Sequence, residues 1–190
     1  VAMPAHGTVK PVFLVYRLTQ IVLFIFYRLF FGFKVYGIEN VPSERRGVIF
    51  APNHSSFLDP PALGIALRSP VTFLAKDYLF RKPFLGALLR WLGVLPIRTA
   101  SADFTSIRQL FRTLKDGGRV VVFPEGTRSV DDEIRDTTEE GVGFLALKTK
   151  AYVVPVYIRG THQALPRHAK WFRSEPVSVH FGKAFLSQEE

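Results

Sequence analysis

One short segment brings an imidazole and a carboxylate close together in the chain, a grouping that can move a proton. The segment reads NHSSFLD over residues 53–59, so His54 and Asp59 are five positions apart. A carboxylate that holds one ring nitrogen fixes the imidazole tautomer and stabilises the imidazolium that forms when the other nitrogen takes a proton. Such a pair is a candidate general base for a hydroxyl nucleophile. Taken alone, such a pair is more often a structural hydrogen bond than a catalytic one.

A second segment, FPEGTRS over residues 123–129, has the residue types of an anion-binding loop. Pro124 cannot donate to a strand ladder, and Gly126 allows a ligand to approach the backbone closely. Arg128 offers the planar fork that suits phosphate oxygens. Glu125 is a candidate for holding Arg128 in place or for binding a substrate hydroxyl. The alternative is a loop with a local ion pair.

The elements around both segments indicate an α/β fold. Short β-branched runs predict strands at 33–36, 48–51, 71–74, 94–97, 119–123, 153–158 and 177–181, and apolar periodicity predicts helices at 60–67, 83–92, 104–114 and 141–149. Strands that alternate with helices predict a single domain with a mixed, centrally parallel sheet flanked by helices. Both chemical segments directly follow predicted strands, and the ends of strands are where sites form in open α/β sheets.

Residues 11–33 form a strongly apolar run that Arg17, Gln20 and Arg28 interrupt. A helix needs roughly 20 mostly apolar residues to cross a bilayer, and a central arginine costs about 2.5 kcal/mol or more. The two arginines are eleven positions apart, about three turns, and so lie near one helical face. We expect a helix in the membrane interface with its arginines at headgroup depth. A tilted span and a buried core helix are the alternatives.

Residues 78–95 are a second membrane candidate. Arg81, Lys82 and Arg90 stand among Phe, Leu and Trp residues there, a composition typical of an interfacial helix. An amphipathic helix packed on the sheet explains the same pattern equally well.

Composition narrows the class of partner. The chain has 190 residues, no cysteine and a net charge of +9, with sixteen basic against six acidic residues in the first 120 positions. The absence of cysteine excludes disulfides, thiolate metal sites and a catalytic thiol, and it fits a cytoplasmic location. The basic part of the chain suits phosphate, anionic lipid or an acidic carrier protein. Its basic residues alternate with long apolar runs and accompany no helix-turn-helix signal, which argues against nucleic acid. The other histidines lack metal-ligand spacing, so no metal is predicted.

Together, the two chemical segments resemble the glycerophospholipid acyltransferase family, which includes the lysophosphatidate and glycerol-3-phosphate acyltransferases. The resemblance extends from about Tyr36 to Phe185 and includes FLAK at 73–76, Pro83-x-x-Gly86, GVLPIR at 93–98 and VPV at 154–156. It implies direct transfer of a fatty acyl group from acyl-CoA or acyl carrier protein to the free hydroxyl of lysophosphatidate. It implies no acyl-enzyme, no metal and no cofactor beyond the acyl co-substrate.

The resemblance also assigns roles to residues. It makes His54 the general base and Asp59 its orienting partner, while a backbone N–H near the motif is a candidate oxyanion donor. The residues predicted to bind substrate are Asn53, Lys76, Arg98, Glu125, Gly126, Thr127 and Arg128. We accordingly divide the chain into a membrane-associated segment at 1–33 and an acyltransferase domain at 34–190, located at the cytoplasmic face of a membrane.

Two positions depart from the family pattern. The block Gly-x-x-x-x-x-Arg would place arginine at position 99, where this chain has Thr99 after Arg98. Adjacent strand residues face opposite sides, so Arg98 replaces that arginine only if the strand ends or bulges there. Many relatives also carry Phe-Lys where this chain has Thr138-Glu139-Glu140. These departures keep three alternatives open: an acceptor such as glycerol 3-phosphate or another lysolipid, a membrane-binding relative without turnover, and a thioesterase.

Overall fold

The computed structural model describes residues 11–67, 69–97, 104–125, 140–166, 169 and 171–186. Within these ranges the helices are α1 (Phe13–Phe31), α2 (Asp59–Ala66), α3 (Pro83–Trp91), α4 (Phe104–Lys115), α5 (Glu140–Thr149) and α6 (Thr161–Ala164). The strands are β1 (Lys34–Tyr36), β2 (Val48–Pro52), β3 (Leu74–Lys76), β4 (Leu95–Ile97), β5 (Arg119–Val121), β6 (Tyr152–Arg159), β7 (Ser178–Phe181) and β8 (Phe185–Leu186). Short 3-10 turns occur at Ile38–Asn40 and Asp77–Arg81.

The main sheet has the order β1-β7-β6-β2-β5. Strand β8 pairs with β6 at Tyr152 and Val153, before the part of β6 that pairs with β7. Strand β2 lies between β5 and β6 and is parallel to both of them. Strand β7 is antiparallel to β6 and parallel to β1. This arrangement confirms the predicted mixed sheet with a parallel centre. Strands β3 and β4 form a separate parallel pair.

The predicted strand at 71–74 is wrong in its position. Thr72 exchanges two 2.9 Å backbone hydrogen bonds with the chain at Arg119 and Val121, which makes a single bridge to the main sheet. The chain then leaves that sheet and forms β3 two residues later, paired with β4. Helix α6 and strand β8 were not predicted, because elements of four and two residues carry too little periodicity.

The core lies on both faces of the sheet because successive residues of β2 point in opposite directions. Phe50 is fully buried on one face with the buried side of α2, including Leu63. Ile49 is fully buried on the other face with residues of α4 and α5, including Leu110 and Leu145. A strand covered on both sides reads as a continuous apolar run, which is how Val48–Phe50 appears in the sequence.

Helix α1 packs one side against this core and leaves the rest of its surface apolar and uncovered. Its buried residues are Tyr16, Tyr27 and Phe31. In the described part of the chain it is the one helix long and apolar enough to cross a membrane, with 11% of that stretch buried. The alternative of a buried core helix is therefore wrong. The large side chains that it exposes are Phe13, Leu14, Leu18, Ile21, Val22, Phe24, Ile25, Leu29 and Phe30.

Gly160, between β6 and α6, provides a test of this fold. Its φ is +87°, and a Cβ there would clash with the carbonyl oxygen of Pro176. We expect Gly160→Ala to lower the free energy of unfolding by about 2–4 kcal/mol, because positive φ and overpacking both add cost. The matched control is Gly143→Ala, since a Cβ at Gly143 in α5 meets nothing within 4 Å. Thermal melting should show a large decrease for the first variant and none for the second; equal melting temperatures would contradict this description.

Candidate active site

Asp59 organises the loop that joins β2 to α2. It is the first residue of α2, it is fully buried, and its side chain folds back over the loop. Its Oδ2 atom accepts the backbone N–H groups of Ser55 at 2.8 Å and Ser56 at 2.7 Å, and it lies 2.9 Å from Nδ1 of His54. One carboxylate oxygen therefore holds both the backbone and the imidazole of this loop.

The contact with Asp59 determines what the imidazole of His54 can do. A carboxylate is an acceptor, so Nδ1 carries the proton in this contact and Nε2, on the opposite edge of the ring, presents its lone pair. The side chain of His54 is 17% exposed, whereas that of Asp59 is fully covered. The arrangement gives a partly exposed imidazole in the tautomer that a general base needs.

The segment after β5 supports His54 from a second direction. The ring of Phe123 stacks on the imidazole with centroids 4.1 Å apart and an interplanar angle of 30°. The backbone N–H of His54 donates to Oε1 of Glu125 at 3.2 Å. The structure thus brings Glu125, which we predicted to bind substrate, into direct contact with the histidine loop.

Asn53 bonds to the backbone of the neighbouring strand. Its Nδ2 donates to the carbonyl of Ile158 at 3.0 Å, and its Oδ1 accepts the N–H of Ile158 at 2.7 Å. The β2–β6 ladder ends with Pro52 opposite Val156, so the carboxamide of Asn53 continues that ladder with its side chain. These contacts support a positioning role for Asn53, and its substrate contact stays a prediction. The signal in the sequence was an asparagine directly after a strand, a typical place for side-chain-to-backbone bonds.

Ser56 helps to hold this loop, a role that the sequence did not predict. Its hydroxyl donates to the carbonyl of Leu165 at 2.8 Å and accepts the N–H of Leu58 at 3.2 Å. It therefore ties the loop to the chain just beyond α6. No local signal separates this serine from Ser55, because its partner is 109 positions away.

Three backbone amides of the loop are already bonded inside the protein. The backbone N–H of His54 donates to Glu125, and those of Ser55 and Ser56 donate to Asp59. None of these three is therefore the predicted oxyanion donor, whose identity stays a prediction.

Some predicted site residues fall elsewhere. Lys76 is the exposed last residue of β3, where it is paired in register with Ile97 of β4. Arg98, Gly126, Thr127 and Arg128 lie outside the described residues, as do Thr99, Thr138 and Glu139. Within the described ranges, no cluster of three or more His, Asp or Glu side chains is placed to hold a metal ion.

Comparison with known proteins shows that the chain is similar to acyltransferases. A family model described as Acyltransferase matches residues 32–159. The chloroplastic 1-acyl-sn-glycerol-3-phosphate acyltransferase of Arabidopsis thaliana is 32% identical over 139 residues, which are 72% of this chain and 38% of that protein. The lyso-ornithine lipid O-acyltransferase of Pseudomonas aeruginosa is 31% identical over 143 residues, which are 74% of this chain and 54% of that protein.

The architecture also matches a solved structure. The crystal structure of the 1-acyl-sn-glycerophosphate acyltransferase PlsC from Thermotoga maritima superposes with a TM-score of 0.73 at 25% sequence identity. The match covers 92% of this chain and 68% of that one. The chain therefore spans most of a solved relative's fold but only 38% and 54% of the two curated relatives.

The pairing of Asn53 with Ile158 can be tested directly. We expect Asn53→Ala to lower the free energy of unfolding by about 1–3 kcal/mol, because it leaves the buried N–H and C=O of Ile158 without their side-chain partner. The matched control is Asn40→Ala, which removes a single bond, from Nδ2 to the carbonyl of Phe181 at 2.9 Å. Chemical denaturation should show the larger loss for Asn53→Ala. An equal or smaller loss would argue against a ladder-extending role.

Proposed function

This chain belongs to the acyltransferase family, whose model matches residues 32–159, and from that premise we propose that it acylates a lysolipid. The proposed reaction moves a fatty acyl group from acyl-CoA or acyl carrier protein to the free hydroxyl of 1-acylglycerol 3-phosphate. The observation that carries the proposal is the 2.9 Å contact between Nδ1 of His54 and Oδ2 of the buried Asp59. It supports a general base whose imidazole is held in one tautomer by a buried carboxylate.

The chemistry follows from that base. Nε2 of His54 takes the proton of the acceptor hydroxyl, and Asp59 stabilises the imidazolium that forms. The alkoxide attacks the thioester carbonyl, the C–S bond breaks, and the departing thiolate takes the proton back from His54. General-base help of this kind is worth about 10²–10⁴ in rate. The stacked ring of Phe123 and the carboxylate of Glu125 keep the base in place while the proton moves.

Substrate binding is assigned to other residues that the sequence predicts for this role. We propose that Arg128, with the backbone of Gly126 and Thr127, holds the acceptor phosphate, and that Arg98 and Lys76 add positive charge for the acceptor or the anionic donor. Holding the phosphate orients the acceptor hydroxyl. Good orientation of the reacting groups lowers the activation barrier by up to about 7–11 kcal/mol. Asn53 and Glu125 contribute to orientation by positioning the histidine loop.

The substrates place the enzyme at a lipid surface. A lysolipid acceptor is an amphiphile, and α1 presents a long uncovered apolar face beside a strongly basic first part of the chain. We propose that α1 associates with the cytoplasmic face of a membrane, with Arg17 and Arg28 at headgroup depth. Both arginines are exposed on α1, which fits that depth.

A second acceptor class has support of its own. The relative from Pseudomonas aeruginosa is named a lyso-ornithine lipid O-acyltransferase. This chain has Thr99 at the family's arginine position, and Glu139-Glu140 follows the segment 123–129 along the sequence. An ornithine headgroup carries an amine, and acidic side chains suit an amine better than a phosphate. A lyso-ornithine lipid is therefore the second candidate acceptor.

Removing the base tests the reaction. We expect His54→Ala to lower acyl transfer by about 10²–10⁴-fold while the melting temperature stays close to that of the wild type. The assay measures thiol release from acyl-CoA in the presence of lipid vesicles and 1-acylglycerol 3-phosphate, with His180→Ala as the control histidine. Turnover at the wild-type rate in His54→Ala would refute the general base. Wild-type thiol release that needs no acceptor would point to a thioesterase.

Replacing Arg128 tests its proposed role in binding the acceptor phosphate. We expect Arg128→Ala to raise the KM for 1-acylglycerol 3-phosphate by about 10–100-fold, since hydrogen bonds to charged groups are worth about 1.5–3 kcal/mol. The KM for the acyl donor should stay within twofold of its wild-type value. Arg81→Ala is the control, because Arg81 is an exposed arginine paired with Asp77. Unchanged acceptor kinetics in Arg128→Ala, or a wild-type preference for lyso-ornithine lipid, would contradict a phosphate clamp.

A further inference from the structure

One face of α1 carries polar side chains that bond to the protein interior. Gln20 and Tyr27 follow Tyr16 by 4 and 11 positions, respectively. Both spacings are close to whole turns at about 3.6 residues per turn, so the three side chains share one side of the helix. The two tyrosines are buried, while the rest of the helix surface is mostly exposed and apolar. The face of α1 that meets the core thus makes specific polar contacts as well as apolar ones.

Gln20 and Tyr27 form hydrogen bonds with opposite ends of α2. Near its C-terminus, Nε2 of Gln20 donates to the carbonyls of Gly64 at 2.8 Å and Leu67 at 2.9 Å. At its N-terminus, the hydroxyl of Tyr27 donates to the carbonyl of Leu58 at 2.8 Å. Helix α2 has only eight residues, and Asp59 is the first of them. Both ends of the helix that carries the orienting carboxylate are therefore held by α1.

The bond from Tyr27 acts on the peptide unit that leads directly into Asp59. The same Leu58 carbonyl accepts the N–H of Ala62 at 3.0 Å, which is the first hydrogen bond of α2. Two donors on this carbonyl fix the orientation of the 58–59 peptide. Because Oδ2 of Asp59 holds Nδ1 of His54 at 2.9 Å, a rotation of that peptide would move the carboxylate away from the imidazole.

We propose that Tyr27 is a positioning residue for the His54–Asp59 pair, acting through the carbonyl of Leu58. This inference rests on the proposed function and extends it, because it connects the uncovered apolar helix to the proton-transferring pair. The hydroxyl is needed for position rather than for stability. Without it the Leu58 carbonyl still accepts the N–H of Ala62, and the ring still packs against Phe31 and Phe33 at centroid distances of 5.2 and 5.6 Å.

The test variant is Tyr27→Phe, which removes the hydroxyl and keeps the ring. Misplacing a catalytic group by a fraction of an ångström lowers turnover sharply, so we expect kcat to fall about tenfold. The KM values for acyl-CoA and for 1-acylglycerol 3-phosphate should stay within twofold of wild type. The full chain is assayed with vesicles of phosphatidylcholine and phosphatidylglycerol, and its melting temperature is measured alongside.

The matched control is Tyr16→Phe, which removes a buried hydroxyl from the same face of α1. That hydroxyl accepts the N–H of Val71 at 3.3 Å, beyond the C-terminal end of α2 and not at the histidine loop. Its loss leaves the Val71 N–H without that partner, so the control should lose at least as much thermal stability as Tyr27→Phe. We nevertheless expect it to keep the wild-type kcat. Equal losses of kcat in the two variants would show a general effect on stability and overturn the proposal.

A spectroscopic measurement reports on the pair itself. An imidazole N–H held by a buried carboxylate gives a far-downfield proton resonance, which is assigned here by its loss in His54→Gln. We expect this resonance to shift or broaden in Tyr27→Phe and to stay unchanged in Tyr16→Phe. An unchanged resonance together with an unchanged kcat in Tyr27→Phe would overturn the proposal. Wild-type protein inactive with every lysolipid would instead refute the proposed function, while the resonance would still decide whether Tyr27 positions the pair.

Discussion

The site depends on a single buried oxygen, Oδ2 of Asp59, on which three donors converge within 2.9 Å. A buried carboxylate is costly unless donors surround it, and a short loop can supply them only in one conformation. That requirement explains the four residues between His54 and Asp59. They let the chain turn back so that two backbone amides and one ring nitrogen reach the same atom. Contacts from β6, from the segment after β5 and from α1 then hold this loop in place.

The sheet brings the second segment to the same place through register. Strands β2 and β5 are parallel neighbours, with Phe50 opposite Val121. His54 and Glu125 each stand four residues beyond that matched pair, so they leave the sheet at the same edge. Parallel pairing thereby joins two segments that are 71 positions apart, as the bond from the His54 amide to Glu125 shows. An antiparallel pair would have sent the two ends to opposite edges of the sheet.

The sequence was most informative where patterning and backbone chemistry agree. The β-branched run at 48–51 and the proline at the start of α3 located their elements to within a residue. The position of β3 could not be read, because the choice between pairing with β5 and pairing with β4 is made by tertiary contacts. The proximity of His54 and Asp59 followed from their spacing. The contacts of Asn53 and Tyr27 did not, because their partners lie 105 and 31 positions away.

Helix α1 shows how a helix with a long uncovered apolar face can still carry specific polar contacts. Apolar side chains would give its inner face enough adhesion to the core, but adhesion is non-directional and allows a helix to slide or rotate. Hydrogen bonds from Gln20 and Tyr27 to backbone carbonyls fix the register of α1 against α2. Backbone carbonyls cannot be lost by mutation, so the contact depends only on the donors in α1. A helix with an uncovered apolar face on one side therefore keeps a defined geometry on the other, next to the proposed proton-transferring pair.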